Sequence, residues 1–122
     1  MKLEISPMIV TEVNLSENND EQPKDEHPNS FTMDGSVLFD PESNKVAKLV
    51  ARAQLVSYGK YEVNVVAEFA IRFETEVSEA EATQEIENAR TEATVFPYIT
   101  SYLSAFIALS GYQRPNIPIV VF

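Results

Sequence analysis

The plainest pattern in the chain runs from Tyr61 to Glu74. Tyr61, Val63, Val65, Ala67, Phe69, Ile71 and Phe73 share one parity, and Glu62, Asn64, Val66, Glu68, Ala70, Arg72 and Glu74 share the other. Strict period-two alternation predicts a strand with one buried and one mostly wet face, as in an antiparallel sheet. Val46 to Val56 reads similarly, with Leu49, Ala51, Ala53 and Leu55 alternating with Lys48, Val50, Arg52 and Gln54, and Ser57-Tyr58-Gly59 forms a tight connection between the two strands. Phe31 to Asp40 reads as a further strand, weakened at Gly35, and Pro41-Glu42-Ser43-Asn44 as the turn after it. At the N-terminal end Leu3, Ile5, Met8, Val10, Val13 and Leu15 change parity along the run. They predict one extended edge strand over about 2–15, with a bulge or bend near Pro7.

The segment from Ser16 to Ser30 is almost entirely polar, acidic and helix-breaking. It holds too little apolar surface to order itself and reads as a mobile acidic loop over about 16–30. After Glu74 the period changes. Ser78-Glu79-Ala80-Glu81 is a capping box, and Ala82, Ile86, Ala89 and Ala93 follow at helical spacing. Pro97 is expected to kink this helix or begin a second one, and Gly111 to end the last helix in a left-handed conformation. Strands followed by helices predict a single α+β domain over 1–122: a four-stranded antiparallel sheet with C-terminal helices packed on one face.

The last helix is more apolar than such packing requires. Tyr98, Tyr102, Phe106 and Leu109 form one stripe, Ile99, Leu103 and Ile107 a neighbouring one, with Phe96 close by. A helix on a single sheet needs only about a third of its circumference apolar. The excess has two accounts: burial between the sheets of a homo-oligomer, or a groove that takes exposed apolar segments of other chains. A proline-punctuated apolar tail then runs through Pro115, Ile117 and Pro118 to Phe122.

Composition removes several function classes. The formal net charge of −10 opposes nucleic-acid phosphates and anionic lipid, and the basic residues do not cluster. No apolar run approaches the ~18 residues of a membrane span, and the first residues lack a basic-then-apolar secretory pattern, so a cytoplasmic location is expected. With no cysteine and one histidine, His27, thiolate chemistry and the usual nucleophilic triad are excluded. Glu17, Asp20, Glu21, Asp25 and Glu26 lack the ligand alternation of a calcium loop, and Gly35, Gly59 and Gly111 are isolated, so no phosphate-binding loop is present. The sequence predicts no enzyme, no metal and no cofactor.

The C-terminal part resembles the SecB family of bacterial protein-export chaperones. The resemblance rests on Phe96-Pro97-Tyr98 opening the aromatic helix, on Gly111 closing it, and on Asn116, Pro118 and terminal Phe122. The strand carrying Val63, Val65, Phe69 and Ile71 is also similar to the strand before the helix in that family. The resemblance implies a holdase without ATP, whose protomers pair and form a dimer of dimers with helices between sheets and client segments in apolar grooves. It implies three partners: further copies of the chain, unfolded or pre-secretory polypeptides, and, through acidic sheet residues, a translocation ATPase. Glu62 and Glu68 have the right character for that last contact. Related SecB-like chaperones protect antitoxins, and short SecB-like families of unknown function occur in Gram-positive bacteria. Two departures stand out: the acidic loop is long, and the chain stops at Phe122, before the mobile C-terminal helix of the export chaperone. On this reading Tyr58, Tyr61, Phe69, Tyr98 and Tyr102 bind client, aromatic rings burying much area with few rotors to freeze. Phe96, Leu103, Phe106 and Ile107 form the oligomer interface. The alternative is a structural homo-oligomeric adaptor with the same fold and no client groove.

Overall fold

A computed structural model describes residues 3–119; Met1, Lys2 and the closing Val120, Val121 and Phe122 lie outside the described residues. Those described form five strands and two helices: β1 (Leu3–Ile5), β2 (Ile9–Glu17), β3 (Asn29–Phe39), β4 (Val46–Ser57), β5 (Tyr61–Phe73), α1 (Glu79–Asn88) and α2 (Thr91–Leu109). The sheet is antiparallel throughout, with β5 and β4 at its centre and β3 on one edge. β1 and β2 lie end to end along the other side of β5.

The expected first strand is therefore one path broken in two, which raises the strand count from four to five. Pro7 has no N–H for the ladder, and Ser6 closes the gap. Its N–H donates to the Ala70 carbonyl at 2.8 Å, and its hydroxyl oxygen accepts from the Ala70 N–H at 2.8 Å. A β-bulge between Val10 and Glu12 makes a second irregularity, and Thr11 bonds the Val66 carbonyl there at 3.3 Å. The bulge is why Val10 and Val13, of opposite parity, both meet the core.

The odd-numbered residues of β4 and β5 make the buried face, from Ala47 to Leu55 and from Tyr61 to Phe73. Registers set Leu49 beside Phe69, Ala51 beside Ala67 and Leu55 beside Val63. Both helices cover this face. α1 contributes Ala82 and Ile86, and α2 contributes Thr91, Val95, Ile99, Leu103 and Ile107, one residue every helical turn.

The break between the helices falls at Ala89–Arg90, not at Pro97. Arg90 takes the left-handed conformation (φ 52°), and α2 then runs through Pro97 without ending. That corner changes the helical phase, so Ala89 and Ala93, expected to continue the α1 stripe, are exposed. α1 opens with the serine half of the capping motif: Ser78 Oγ accepts from the Glu81 N–H at 3.2 Å, and the Glu81 carboxylate accepts from the Ser78 hydroxyl at 3.2 Å. α2 closes on Gly111 (φ 101°), with Gly111 N–H donating to the Ala108 carbonyl and Tyr112 N–H to Ile107. This is a Schellman closure, and its left-handed residue is at ease only as glycine.

The acidic connection is shorter than its composition suggests, because β2 continues to Glu17 and β3 begins at Asn29. Its first residue, Asn18, is buried, and its side-chain oxygen accepts from the N–H groups of Asp20 (3.0 Å) and Gly59 (3.4 Å). At its other end Pro28 accepts from the Tyr58 N–H at 3.1 Å. Both ends are thus tied to the β4–β5 turn.

At the head of the α2 stripe, Thr91 is fully buried and its hydroxyl has no partner among the described residues. An unpaired buried hydroxyl costs about 1–3 kcal/mol, and valine keeps the branched shape. Thr91→Val should therefore raise the unfolding free energy by about 1 kcal/mol in urea denaturation; a loss of stability would mean that the hydroxyl is satisfied in solution.

Candidate functional site

With its Thr91–Ile107 stripe spent on the sheet, α2 has two flanks. One flank looks towards the β1–β2 break and carries Tyr98, Tyr102 and Phe106, with Leu109 at its end. Tyr98 is 60% exposed and Leu109 89% exposed. Tyr102 and Phe106 are half-buried and stack at 6.0 Å between ring centroids. Where this flank meets the sheet edge, a crevice of about 320 Å³ opens between Ile5, Pro7, Met8, Phe69, Val95 and Tyr98. The Pro7 break makes room for it. Tyr98 belongs to both, lining the crevice and heading the aromatic flank that continues at helical spacing through Tyr102 and Phe106.

The other flank faces β3. Phe96 meets Phe31 edge-on at 5.6 Å, and the segment after the helix returns on this side. Tyr112 packs on Tyr61 at 4.7 Å, Arg114 donates to Ser104 Oγ at 3.2 Å, and Asn29 Nδ2 donates to the Asn116 carbonyl at 2.8 Å. Ile117 rests against the core.

The residues expected to bind client are thus divided. Tyr98 and Tyr102 lie together on the uncovered flank, and Phe69 borders the crevice below Tyr98 while itself buried. Tyr61 is only 3% exposed, beneath Tyr112, and Tyr58 is half-buried in the β4–β5 turn, away from this surface. The residues assigned to a subunit interface also separate. Leu103 and Ile107 are wholly buried inside the protomer, because they belong to the stripe that packs on the sheet, and so cannot meet a second copy in this conformation. Phe106 remains on the open flank, and Phe96 is half-buried against Phe31. The crevice residues Ile5, Pro7, Met8 and Val95 were not singled out from sequence. The parity change at Pro7 was the available signal, and it marks where the strand leaves the helix uncovered.

The far face of the sheet differs in chemistry. Gln54, Asn64 and Asn14 form an amide row across β4, β5 and β2, with Gln54 donating to Asn64 at 3.0 Å and Asn64 to Asn14 at 3.4 Å. Glu68 pairs with Lys48 at 3.1 Å, and Glu62 accepts from Ser16 at 3.5 Å. A depression of about 570 Å³ at one end is rimmed by Glu4, Glu74, Lys45 and Arg72, charges of both signs. His27 is exposed in the acidic connection, and no cluster of metal-ligating side chains occurs among the described residues. No helix among them is long and apolar enough to cross a membrane.

This architecture is shared with solved structures. The chain is similar to the SecB-like chaperone Rv1957 of Mycobacterium tuberculosis, solved in complex with a ChAD peptide from the HigA1 antitoxin. The TM-score is 0.68 at 12% identity, over 97% of this chain and 90% of that one. It is also similar to a protein of unknown function from Streptococcus agalactiae, with a TM-score of 0.56 at 14% identity over 98% of both chains. No protein-family model matches the sequence, and no curated protein matches it. The fold is SecB-like, an α+β layer of one antiparallel sheet and two helices, and the first of these neighbours is a chaperone.

Burial pushes the Tyr61 phenol above its ordinary value of 10.0; a hydrogen bond with the Ser57 side chain opposes this, and Tyr112 adds to it. The folded state therefore holds this proton more tightly than the unfolded one. Its contribution is complete below pH 10 and declines as pH rises beyond the unfolded value. Thermal unfolding followed from pH 9 to 11 should show a falling midpoint, and Tyr61→Phe should flatten that fall. An equal slope in both proteins would remove Tyr61 as its source.

Proposed function

We propose that the protein is a cytosolic, ATP-independent holdase that binds extended apolar segments of unfolded or pre-secretory polypeptides. The observation that carries this reading is the uncovered surface made by Tyr98, Tyr102, Phe106 and Leu109 and continued into the crevice at the strand break. A soluble helix whose core-facing stripe is already satisfied has no structural need for a second apolar flank. Aromatic rings suit varied clients, since they offer area without demanding one partner shape. The SecB-like neighbour solved with an antitoxin peptide supports a polypeptide as the ligand class. The charge of −10 keeps a loaded complex soluble and favours clients with basic residues beside apolar ones. A translocation ATPase would dock elsewhere, on the far face that carries Glu62 and Glu68.

A second reading shares the motivating surface. In a structural homo-oligomeric adaptor, a further copy of the chain would cover the α2 flank and leave no groove. What favours it is the 89% exposure of Leu109, which a dimer or dimer of dimers would remove from water.

The two readings separate in one assay. Stoichiometric protein without nucleotide should suppress the aggregation of several unrelated clients diluted from denaturant, followed by light scattering. Each large apolar side chain that a client covers contributes about 1.5–3 kcal/mol. Replacing both Tyr98 and Leu109 by serine should therefore weaken client binding by about tenfold or more, with little loss of stability. If the unaltered protein leaves every client's aggregation unchanged while sedimentation shows a stable oligomer, the adaptor reading replaces the holdase.

A further inference from the structure

The second flank of α2 is already occupied by the chain itself, and the occupant has the properties of a client. Tyr112 to Ile119 contains no helix or strand. Pro115 and Pro118 fix their own backbones and bias Arg114 and Ile117 towards extended conformations. Beyond Tyr112, no backbone–backbone hydrogen bond joins this segment to the rest of the molecule among the described residues. It is held instead by an aromatic contact of Tyr112 on Tyr61, a single main-chain carbonyl at Asn116 bonded by Asn29, the bond from Arg114 to Ser104, and the seating of Ile117. Such contacts recognise a kind of segment rather than a fold.

We infer that the surface beneath this segment is a client subsite, and that residues 112–119 are its resident stand-in. The inference rests on the holdase reading and names the client chemistry: an aromatic residue, a basic residue two positions on, a proline next, and a branched aliphatic residue five positions after the aromatic, in extended backbone. Tyr61 supplies the ring for the aromatic residue. Asn29 supplies an amide donor for a main-chain carbonyl, which every polypeptide has. The acidic connection ends at Pro28, beside Asn29, and its carboxylates favour a basic residue in the bound segment. Tyr61 is 3% exposed with Tyr112 packed on its ring, so an incoming aromatic residue would take the place of Tyr112 when the tail leaves. The helix end aims the tail: the Gly111 closure sets Tyr112 back over the sheet.

A tethered segment competes at an effective concentration in the millimolar range, so the subsite is masked in the unaltered chain. The test uses a fluorescently labelled peptide with the sequence of residues 112–119, measured by anisotropy against the full chain. Ile117→Ser in the protein should tighten peptide binding by about tenfold, because the resident tail loses its aliphatic seat. Arg114→Ala, which removes one exposed bond and no core contact, should tighten it severalfold and serves if Ile117→Ser fails to fold by circular dichroism. On the tail-weakened chain, a peptide with alanine in place of its tyrosine should bind at least tenfold more weakly, and Asn29→Ala should also weaken binding. Equal binding by unaltered and tail-weakened folded chains, or indifference to the peptide's tyrosine, overturns the inference. If the unaltered protein still suppresses client aggregation in that case, the tail is a structural plug and the holdase reading stands. If neither peptide nor unfolded client binds any variant, both fail.

Discussion

The seam between the odd-numbered residues of β4 and β5 and the Thr91–Ile107 stripe of α2 is the constraint on which the other features depend. It is the main buried contact among the described residues, built from Leu49, Leu55, Val63, Phe69 and Ile71 below and Val95, Ile99, Leu103 and Ile107 above. Because the stripe repeats every fourth residue, it fixes the rotation of α2 about its own axis. That rotation determines everything on the helix flanks. Tyr98, Tyr102 and Phe106 must look towards the broken edge strand, and Phe96 and Ser104 towards β3 and the returning tail. A seam shifted by one residue towards the N-terminus would bury Tyr98, Tyr102 and Phe106 and expose the aliphatic stripe.

The two flanks then differ in what lies beside them. On one side Pro7 and the Val10–Glu12 bulge interrupt the edge, so no continuous strand rises to cover the helix, and an apolar crevice is left. On the other, the Schellman closure at Gly111 sends the chain back over Tyr61 and Phe31's neighbourhood. On the proposed reading an extended polypeptide would suit both flanks, the first by being open and the second because the chain's own segment 112–119 already lies there. The far face differs in chemistry, with its Gln54–Asn64–Asn14 amide row and paired Lys48 and Glu68, and carries a smaller crevice of about 290 Å³ at Leu38, Val46 and Ala70.

Much of this was legible in the residues. The alternation of Tyr61–Phe73 and Val46–Ser57 places both central strands and their buried face, because period two admits one dry side only. Gly111 marks the helix end because glycine takes the positive φ of a Schellman closure without a Cβ penalty. The signals that misled were those where local chemistry yields to packing. Pro97 was expected to kink the helix or begin a second one, but the second helix begins at Thr91, after Arg90, where nothing in the side chain announces a left-handed backbone. Leu103 and Ile107 looked like surplus for a partner copy, since sequence shows two apolar stripes without saying which one the sheet takes. Tyr61 was expected on an open surface, but it lies under Tyr112, through a contact between residues far apart in the chain that no periodicity encodes. The acidic connection was read too long because polar residues at Glu17 and Asn29 join the ladder through their backbones, whatever their side chains.

The central claim is that the apolar flank of α2 and the crevice beside it form the surface that meets polypeptide. Methyl NMR with a chemically unfolded client added in steps tests it most directly. The account predicts that the methyl signals of Leu109, Met8 and Ile5 shift or broaden with client while those of Leu38 and Val50, on the far face, hold their positions. The opposite pattern, with Leu38 and Val50 perturbed and Leu109, Met8 and Ile5 unmoved, would contradict it.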